Sequence, residues 1–220
     1  MSTLPALAND GAATPRTPNA APPQSTRPST RPTPPLQAQA TGDEEAEASN
    51  ADLAASSAEE RDRILDDLYA RLGKSESADF AKVVQIAIER MWGFSGSDTV
   101  DLLMRRAQAA IAKKNETVAT NLLDAVVGLR PEYAEGWNRR AFVHFSNKDY
   151  ERAFADLRRV VIIDPKHFKA IGGLAVILRE WGRDKAALAA FRKALEVNPF
   201  DEDVRKAIRE LEIEVEGQKI

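Results

Sequence analysis

The chain repeats one pattern every 34 residues. Pro131, Pro165 and Pro199 each follow an apolar stretch with helical spacing, and they stand 34 residues apart. Apolar residues recur in the same register before each proline: Ala119, Ala153 and Ala187, followed by Leu123, Leu157 and Phe191. A helix pair of this length cannot bury its apolar face alone and stacks on copies of itself. The period therefore predicts an all-α fold, an α-solenoid of antiparallel helix hairpins.

Apolar spacing and polar breaks divide each repeat into two helices. Three repeats are expected, over 100–133, 134–167 and 168–201. Their helices are expected over about 99–113, 117–129, 134–146, 150–163, 168–181 and 184–197. Asp98, Asp149 and Asp184 stand at predicted helix starts, where a side-chain oxygen can accept hydrogen bonds from otherwise unpaired backbone amides.

Further helical segments flank the three repeats. Residues 58–97 carry two apolar helical patterns, which we interpret as an N-terminal capping helix pair. This pair is a degenerate repeat, because Gln85 and Glu89 stand where the other units have Ala and then Leu or Phe. Residues 202–220 carry a narrow apolar stripe among charged residues, which predicts a C-terminal solvating helix. Terminal units of a stacked array usually depart from the repeat because one face has no neighbour.

The first 57 residues differ in composition from the rest. Nine of the 12 prolines lie in the first 35 residues, and an acidic stretch runs from Asp43 to Glu60. Such a segment buries too little apolar surface to offset the entropy of ordering it, so a disordered Pro/Ala/Thr-rich and then acidic tail is predicted. Its role stays open between a linker and a proline-rich ligand. Ala6-Leu7-Ala8 resembles a signal-peptide cleavage site that lacks its apolar core, so the location stays open between cytoplasm and periplasm.

The composition narrows the classes of function. The net charge of −3 disfavours general electrostatic binding of nucleic acid, and the absence of cysteine excludes disulfides and thiolate metal sites. No apolar stretch is long enough for a membrane-spanning helix. His144 and His167 are the only histidines and lack metal-ligand or catalytic spacing. We therefore predict a protein that is not an enzyme and that holds no cofactor or metal.

The repeat resembles the tetratricopeptide repeat (TPR) family, as in a small bacterial-type TPR protein. The middle unit carries the resemblance most clearly, with Trp137, Ala141, Tyr150, Ala153, Leu157 and Pro165. The resemblance implies a TPR superhelix whose first helices line a concave groove for a protein or peptide partner. By position in the repeat, the implied lining residues are Asp101, Met104, Arg105, Gln108, Glu135, Asn138, Arg139, Phe142, Phe145, Lys169, Val176 and Arg179. Gly172 and Gly173 belong to the same implied lining.

One TPR subclass binds a C-terminal carboxylate with Lys, Asn and Arg side chains. Transferred by position, that set falls on Met104, Gln108, Arg139, Lys169 and Gly173. Only Lys169 matches in type, and Arg139 is a possible substitute, so this carboxylate clamp is not expected in the chain. The two adjacent glycines inside a helix admit two interpretations, close helix contact or room for a partner's backbone.

The predicted function is a protein–protein interaction module that binds a peptide or helix of a partner in the groove. The alternative is a structural, self-assembling TPR scaffold, including one in the bacterial cell envelope. Either way, a monomer or weak self-association is expected.

Overall fold

The computed structural model of the chain describes residues 59–217, which form helices and no strand. Helix α1 covers 59–73. The helices that follow are α2 (Ala78–Trp92), α3 (Asp98–Ala112), α4 (Glu116–Leu129), α5 (Ala134–Ser146), α6 (Tyr150–Ile163), α7 (Phe168–Glu180), α8 (Asp184–Val197) and α9 (Glu202–Gly217). The all-α prediction is confirmed for this part of the chain. None of the helices described is long and apolar enough to cross a bilayer. The predicted tail and Ala6-Leu7-Ala8 lie outside the described residues.

Helices α3 to α8 form three hairpins that stack in order. Within the hairpins α3 packs on α4, α5 on α6 and α7 on α8, and between them α4 packs on α5 and α6 on α7. Small side chains are buried along these contacts: Ala107, Ala119, Ala141, Ala153, Ala175 and Ala187. A larger side chain there would force the backbones apart. The 34-residue period therefore reflects how often these close helix contacts recur along the sequence.

The turn inside each hairpin adopts the same backbone conformation. Lys114, Lys148 and Gly182 all have positive φ, at 55°, 60° and 67°. This left-handed region suits glycine and costs other residues conformational energy. Because the conformation recurs at two lysines, the packing of the hairpins, and not the residue type, determines the turn.

The predicted N-terminal caps are right at one helix and wrong at two. The Asp149 side chain accepts a hydrogen bond from the Arg152 amide at the start of α6. Asp98 and Asp184 are instead the first helical residues of α3 and α8, since both helices follow cap residues that make no side-chain cap bond. There, each carboxylate still lies in the first turn, where the helix dipole favours negative charge.

Helix α9 covers the end of the last repeat. Val204 and Leu211 are buried in one core with Phe191 of α8. Arg179 of α7 reaches across to Glu210 and Glu214 on α9, at 3.4 and 3.3 Å. The helix thus buries an apolar stripe and presents charge on other faces, as a solvating helix does.

The hairpin of α1 and α2 lies against the loops that follow α6 and α8. Its buried apolar residues are Tyr69, Leu72, Ala81, Val84, Ile88 and Trp92. They form one core with Phe168 at the start of α7, and Val197 and Phe200 pack against the same core. Polar contacts surround it, among them an ion pair of 2.7 Å between Lys166 Nζ and Asp66 Oδ1.

This packing differs from the stacked, degenerate repeat expected over 58–97. Such a repeat would lie along α3, whereas α2 and α3 do not pack along their length. The two residues that depart from the repeat pattern explain the difference. Gln85 accepts a hydrogen bond from Asn198 and Glu89 pairs with Lys169, so both face polar groups of the third repeat. The helix pair is present, but it covers inter-repeat loops and does not extend the stack.

Candidate functional site

Helices α5 and α7 are the first helices of the second and third repeats, and they line a cavity of about 350 Å³. Helix α2 supplies a further wall. We call this space the groove cavity. Its lining residues are Glu89, Trp92, Glu135, Asn138, Arg139, Ala141, Phe142, Phe145, Leu157, Lys169, Gly173 and Val176.

Apolar side chains from three helices form much of the groove cavity. Phe142 of α5 is 55% exposed, an unusual position for a large aromatic side chain. Phe145 and Val176 are half-buried beside it, and Leu157 of α6 lies deeper. The cavity therefore offers apolar surface to a side chain that enters from outside.

Of the two adjacent glycines, only Gly173 lines the cavity. A Cβ added there would lie 2.9 Å from Leu157 Cδ1, whereas one at Gly172 would meet Val204 at an ordinary 3.9 Å. Gly173 therefore permits a close contact between α7 and α6, which is the packing interpretation of the glycine pair. Its lack of a side chain also keeps this wall of the cavity open.

Both cationic side chains of the cavity are paired with carboxylates of the same chain. Lys169 Nζ lies 2.7 Å from Glu89 Oε1, and so links α7 to α2. Arg139 Nε lies 2.6 Å from Glu135 Oε1 on the same face of α5. Arg139 also donates from Nη1 to Gln108 Oε1 of α3, at 3.2 Å.

Glu135 is a buried carboxylate, only 5% exposed, held by three residues. Besides Arg139, Asn138 donates a hydrogen bond to its Oε2, at 2.8 Å. His167 Nε2 lies 3.5 Å from the same oxygen. Because His167 Nδ1 accepts a hydrogen bond from the Ala170 amide, the proton of a neutral ring lies on Nε2.

Hydrogen-bond and ion-pair partners determine the charge state of the two cavity carboxylates, Glu135 and Glu89. Burial by itself raises the pKa of Glu135, but His167, Arg139 and Asn138 together hold that pKa below its usual range. Burial acts on Glu89 in the same way, and hydrogen bonds from Lys169 and Gln85 likewise leave its pKa lowered. Both side chains are therefore anionic at neutral pH.

Trp92 joins the groove cavity to the α1–α2 hairpin. Its ring stacks on His167 with centroids 3.8 Å apart and planes 9° from parallel. Its indole Nε1 donates to the Tyr69 hydroxyl at 3.0 Å, and Tyr69 in turn donates to Asp164. Burial, with the charge of Asp164 next, raises the pKa of Tyr69, so this hydroxyl keeps its proton. The wall formed by α2 is thereby tied to the loop before α7.

The structure brings together eight of the residues predicted to line a groove. These are Glu135, Asn138, Arg139, Phe142, Phe145, Lys169, Gly173 and Val176. Gln108 reaches them through Arg139. The other predicted residues lie elsewhere. Asp101 binds the amide and hydroxyl of Ser95, and Met104 packs against the core of the first repeat. Arg105 is exposed on α3, and Arg179 pairs with α9.

Glu89, Trp92, Ala141 and Leu157 line the cavity and were not predicted to do so. Ala141 and Leu157 carried a packing role in the repeat, and a side chain at a helix crossing can also face a cavity. Glu89 and Trp92 come from α2, whose position no repeat spacing specifies. The breaks in the pattern at Gln85 and Glu89 were the signals that this face of α2 meets something polar.

Other ionisable groups serve the packing of the repeats. Arg140 donates from Nε and Nη2 to both carboxylate oxygens of the buried Asp156, and from Nη1 to Asp124. Hydrogen bonding to Asp156 raises the pKa of Arg140, so the guanidinium stays charged. Within the described part of the chain, no group of three His, Asp or Glu side chains is placed to bind a metal ion.

Comparison with known proteins agrees with the stacked hairpins. Residues 144–211 match the family model described as tetratricopeptide repeat. A "TPR repeat-containing protein" of Rhizobium etli is 35% identical over 155 residues, which cover 70% of this chain and 76% of that protein. The chain belongs to the TPR family. A second TPR relative, "Small glutamine-rich tetratricopeptide repeat-containing protein 2" of Saccharomyces cerevisiae, is 28% identical over 128 residues, 58% of this chain and 37% of that protein.

Solved TPR structures share the fold. The Sgt2 TPR domain of Aspergillus fumigatus has a TM-score of 0.53 and 22% identity, over 56% of this chain and 83% of that one. The first TPR of Spaghetti (RPAP3), bound to the HSP90 peptide SRMEEVD, has a TM-score of 0.52 and 15% identity, over 54% and 94%. The Yersinia enterocolitica chaperone SycD, with a peptide of the translocator YopD, has a TM-score of 0.51 and 15% identity, over 54% and 95%.

Proposed function

We propose that this TPR protein is a non-enzymatic interaction module that binds a peptide or helix of a partner protein in the groove cavity. The observation that carries the proposal is Phe142, a half-exposed aromatic side chain within a cavity whose charged groups are paired with one another. Exposed apolar surface of this kind, rimmed by polar residues, is typical of a binding surface.

Two further points support this function. The cavity lies between the first helices of neighbouring repeats, and its volume suits part of a peptide. The SycD and RPAP3 structures, which have the same fold, each contain a peptide of another protein.

The test is a pull-down from the source cell with the full chain as bait, compared across three forms. Phe142→Ser should lose the partner while its melting temperature stays near that of the wild type, because the side chain is already largely exposed. Phe80→Ser is the matched control, since Phe80 is 49% exposed on α2 but does not line the cavity. Capture of the same partner by Phe142→Ser would reject the groove cavity as the binding site.

A structural, self-assembling scaffold is the second candidate. The observation in its favour is the outer part of α2, where Phe80, Val83 and Ile86 are all exposed. Size-exclusion chromatography with light scattering distinguishes the two functions. A monomer at every concentration supports the interaction module, whereas an oligomer that Val83→Ser dissociates supports the scaffold.

A further inference from the structure

We infer that the groove cavity selects a large, uncharged apolar side chain from within a partner's chain and does not select a C-terminal carboxylate. This inference rests on the proposed function, and names the class of peptide that the same cavity takes.

The charged side chains that line the cavity balance one another. Lys169 and Arg139 are its two cations, and Glu89 and Glu135 are its two anions, so their formal charges sum to zero. Each cation already has a carboxylate oxygen within 2.7 Å. A peptide carboxylate would therefore have to replace a carboxylate of the chain, and it would gain little from the exchange.

Further side chains hold both of those carboxylates in place. Glu135 has Asn138 and His167 as additional partners and is almost fully buried, so displacing Arg139 from it would leave a buried charge poorly compensated. Glu89 is more exposed, at 36%, but Gln85 also donates to its Oε1 at 2.8 Å. Both pairs are thus built into the cavity wall.

Apolar surface in the cavity remains free for a ligand. Phe142, Phe145 and Val176 are the apolar side chains that still have exposed surface in the cavity. A side chain the size of Leu, Met or Phe can cover them and lose its own contact with water, which is the main source of affinity left in a site of balanced charge. A free chain end is not needed for this contact.

The test uses an array of random dodecapeptides, each printed with a free and with an amidated C-terminus, and probed with the labelled full chain. The strongest binder is then made as free acid, as amide, and with its apolar residues replaced by Ala one at a time. The acid and the amide should bind within about twofold of each other, and one Ala replacement should weaken binding about tenfold or more.

A variant of the protein tests whether the pairing of Lys169 with Glu89 prevents selection of a peptide carboxylate. Glu89→Gln frees Lys169, so the free-acid peptide should now bind better than the amide by about threefold or more. Glu76→Gln, exposed in the turn between α1 and α2, is the matched control and should keep the wild-type ratio. Melting curves establish that both variants are folded.

The possible results distinguish a failure of this inference from a failure of the proposed function. Peptides that require the free acid in the wild type, or an unchanged ratio in Glu89→Gln, would overturn the inference and leave peptide binding intact. Binding that falls as the protein concentration rises would assign the cavity to a second copy of the chain, and would overturn the inference too. An array without any binder would refute the proposed function itself.

Discussion

The three repeat hairpins and the α1–α2 hairpin are built from the same kind of helix pair but are held by different contacts. In the repeats, alanines such as Ala141 and Ala153 bring backbones together, and the same contact returns with each repeat. The α1–α2 hairpin instead packs large aromatic groups, with Trp92 against His167 and Phe168. Its polar residues then pair with the repeats around that contact, as Glu89 does with Lys169.

The difference shows how one chain combines a regular scaffold with a specific site. The stacked repeats supply the walls of the groove cavity that α5, α6 and α7 form. The α1–α2 hairpin adds Trp92 and a carboxylate that pairs with Lys169, and so changes the charge and shape of the groove cavity. Substitutions in the two regions should therefore destabilise different parts of the molecule.

The largest effect is expected for Trp92→Ala. Loss of a buried tryptophan typically costs about 3–5 kcal/mol of unfolding free energy. Because Trp92 anchors the hairpin, hydrogen exchange should show α1 and α2 losing protection while α5 to α8 keep theirs. Phe94→Ala is the control, since Phe94 is exposed two residues further on. Equal loss of protection in all helices would contradict the separation of the two regions.

Glu135→Gln probes a charged group of the repeats beside the contact between the regions, because its neighbour His167 stacks on Trp92. We expect a loss of about 1.5–3 kcal/mol at neutral pH, the usual range for hydrogen bonds to a charged group. The folded pKa of Glu135 is lowered, so its contribution is present above the unfolded value of about 4.3 and is lost as the pH falls through the folded pKa.

Urea unfolding between neutral pH and pH 3 measures this effect. The difference between wild type and Glu135→Gln should shrink as the solution becomes acidic. Glu151→Gln, exposed on α6, should follow the wild type at all pH values. A difference that stays constant with pH would mean that the carboxylate charge contributes nothing.

Ala153→Leu tests the regular region alone. Overpacking a fully buried position should destabilise by about 1–3 kcal/mol, while the contacts of Trp92 stay as they are. Ala155→Leu, exposed on the same helix, should be close to neutral. Thermal unfolding monitored by circular dichroism gives both values. A neutral Ala153→Leu would refute the view that alanine size sets the helix spacing.

The smallest effect is expected for Asp66→Asn at the edge of the α1–α2 hairpin. Both partners of the Lys166–Asp66 pair are more than half exposed, and such pairs are worth less than about 1 kcal/mol. Chemical denaturation in low and high salt measures the loss, which should vanish in high salt. A loss as large as that of Trp92→Ala would mean that ion pairs, and not aromatic packing, hold the hairpin.

The sequence predicts the regular region closely because its packing contacts repeat. All six repeat helices lie within one residue of the expected bounds, since Ala153 and its equivalents mark every crossing. The position of α2 could not be predicted in this way. Its docking depends on Trp92 meeting His167, two residues 75 positions apart that occur in no repeated register.

The same limit applies to the groove cavity. Repeat position correctly groups Glu135, Phe142 and Val176, which share faces of α5 and α7. It also names Arg179, but α9 pairs with that side chain, and a repeat pattern carries no information about a helix outside the repeats. Repeat position could not predict the pairing of Lys169 with Glu89 either, because Glu89 lies on α2, whose position no repeat spacing specifies.

One measurement tests directly whether the wall of the groove cavity formed by α2 belongs to the binding site. It is a ¹⁵N chemical-shift titration of the full chain with the strongest array peptide. Shifts should cluster at amides of α5 and α7 and at the Trp92 indole N–H, while the Trp181 indole N–H stays unchanged. Shifts confined to α4, α6 and α8, with the Trp92 signal unmoved, would contradict both the site and the role of α2 in it.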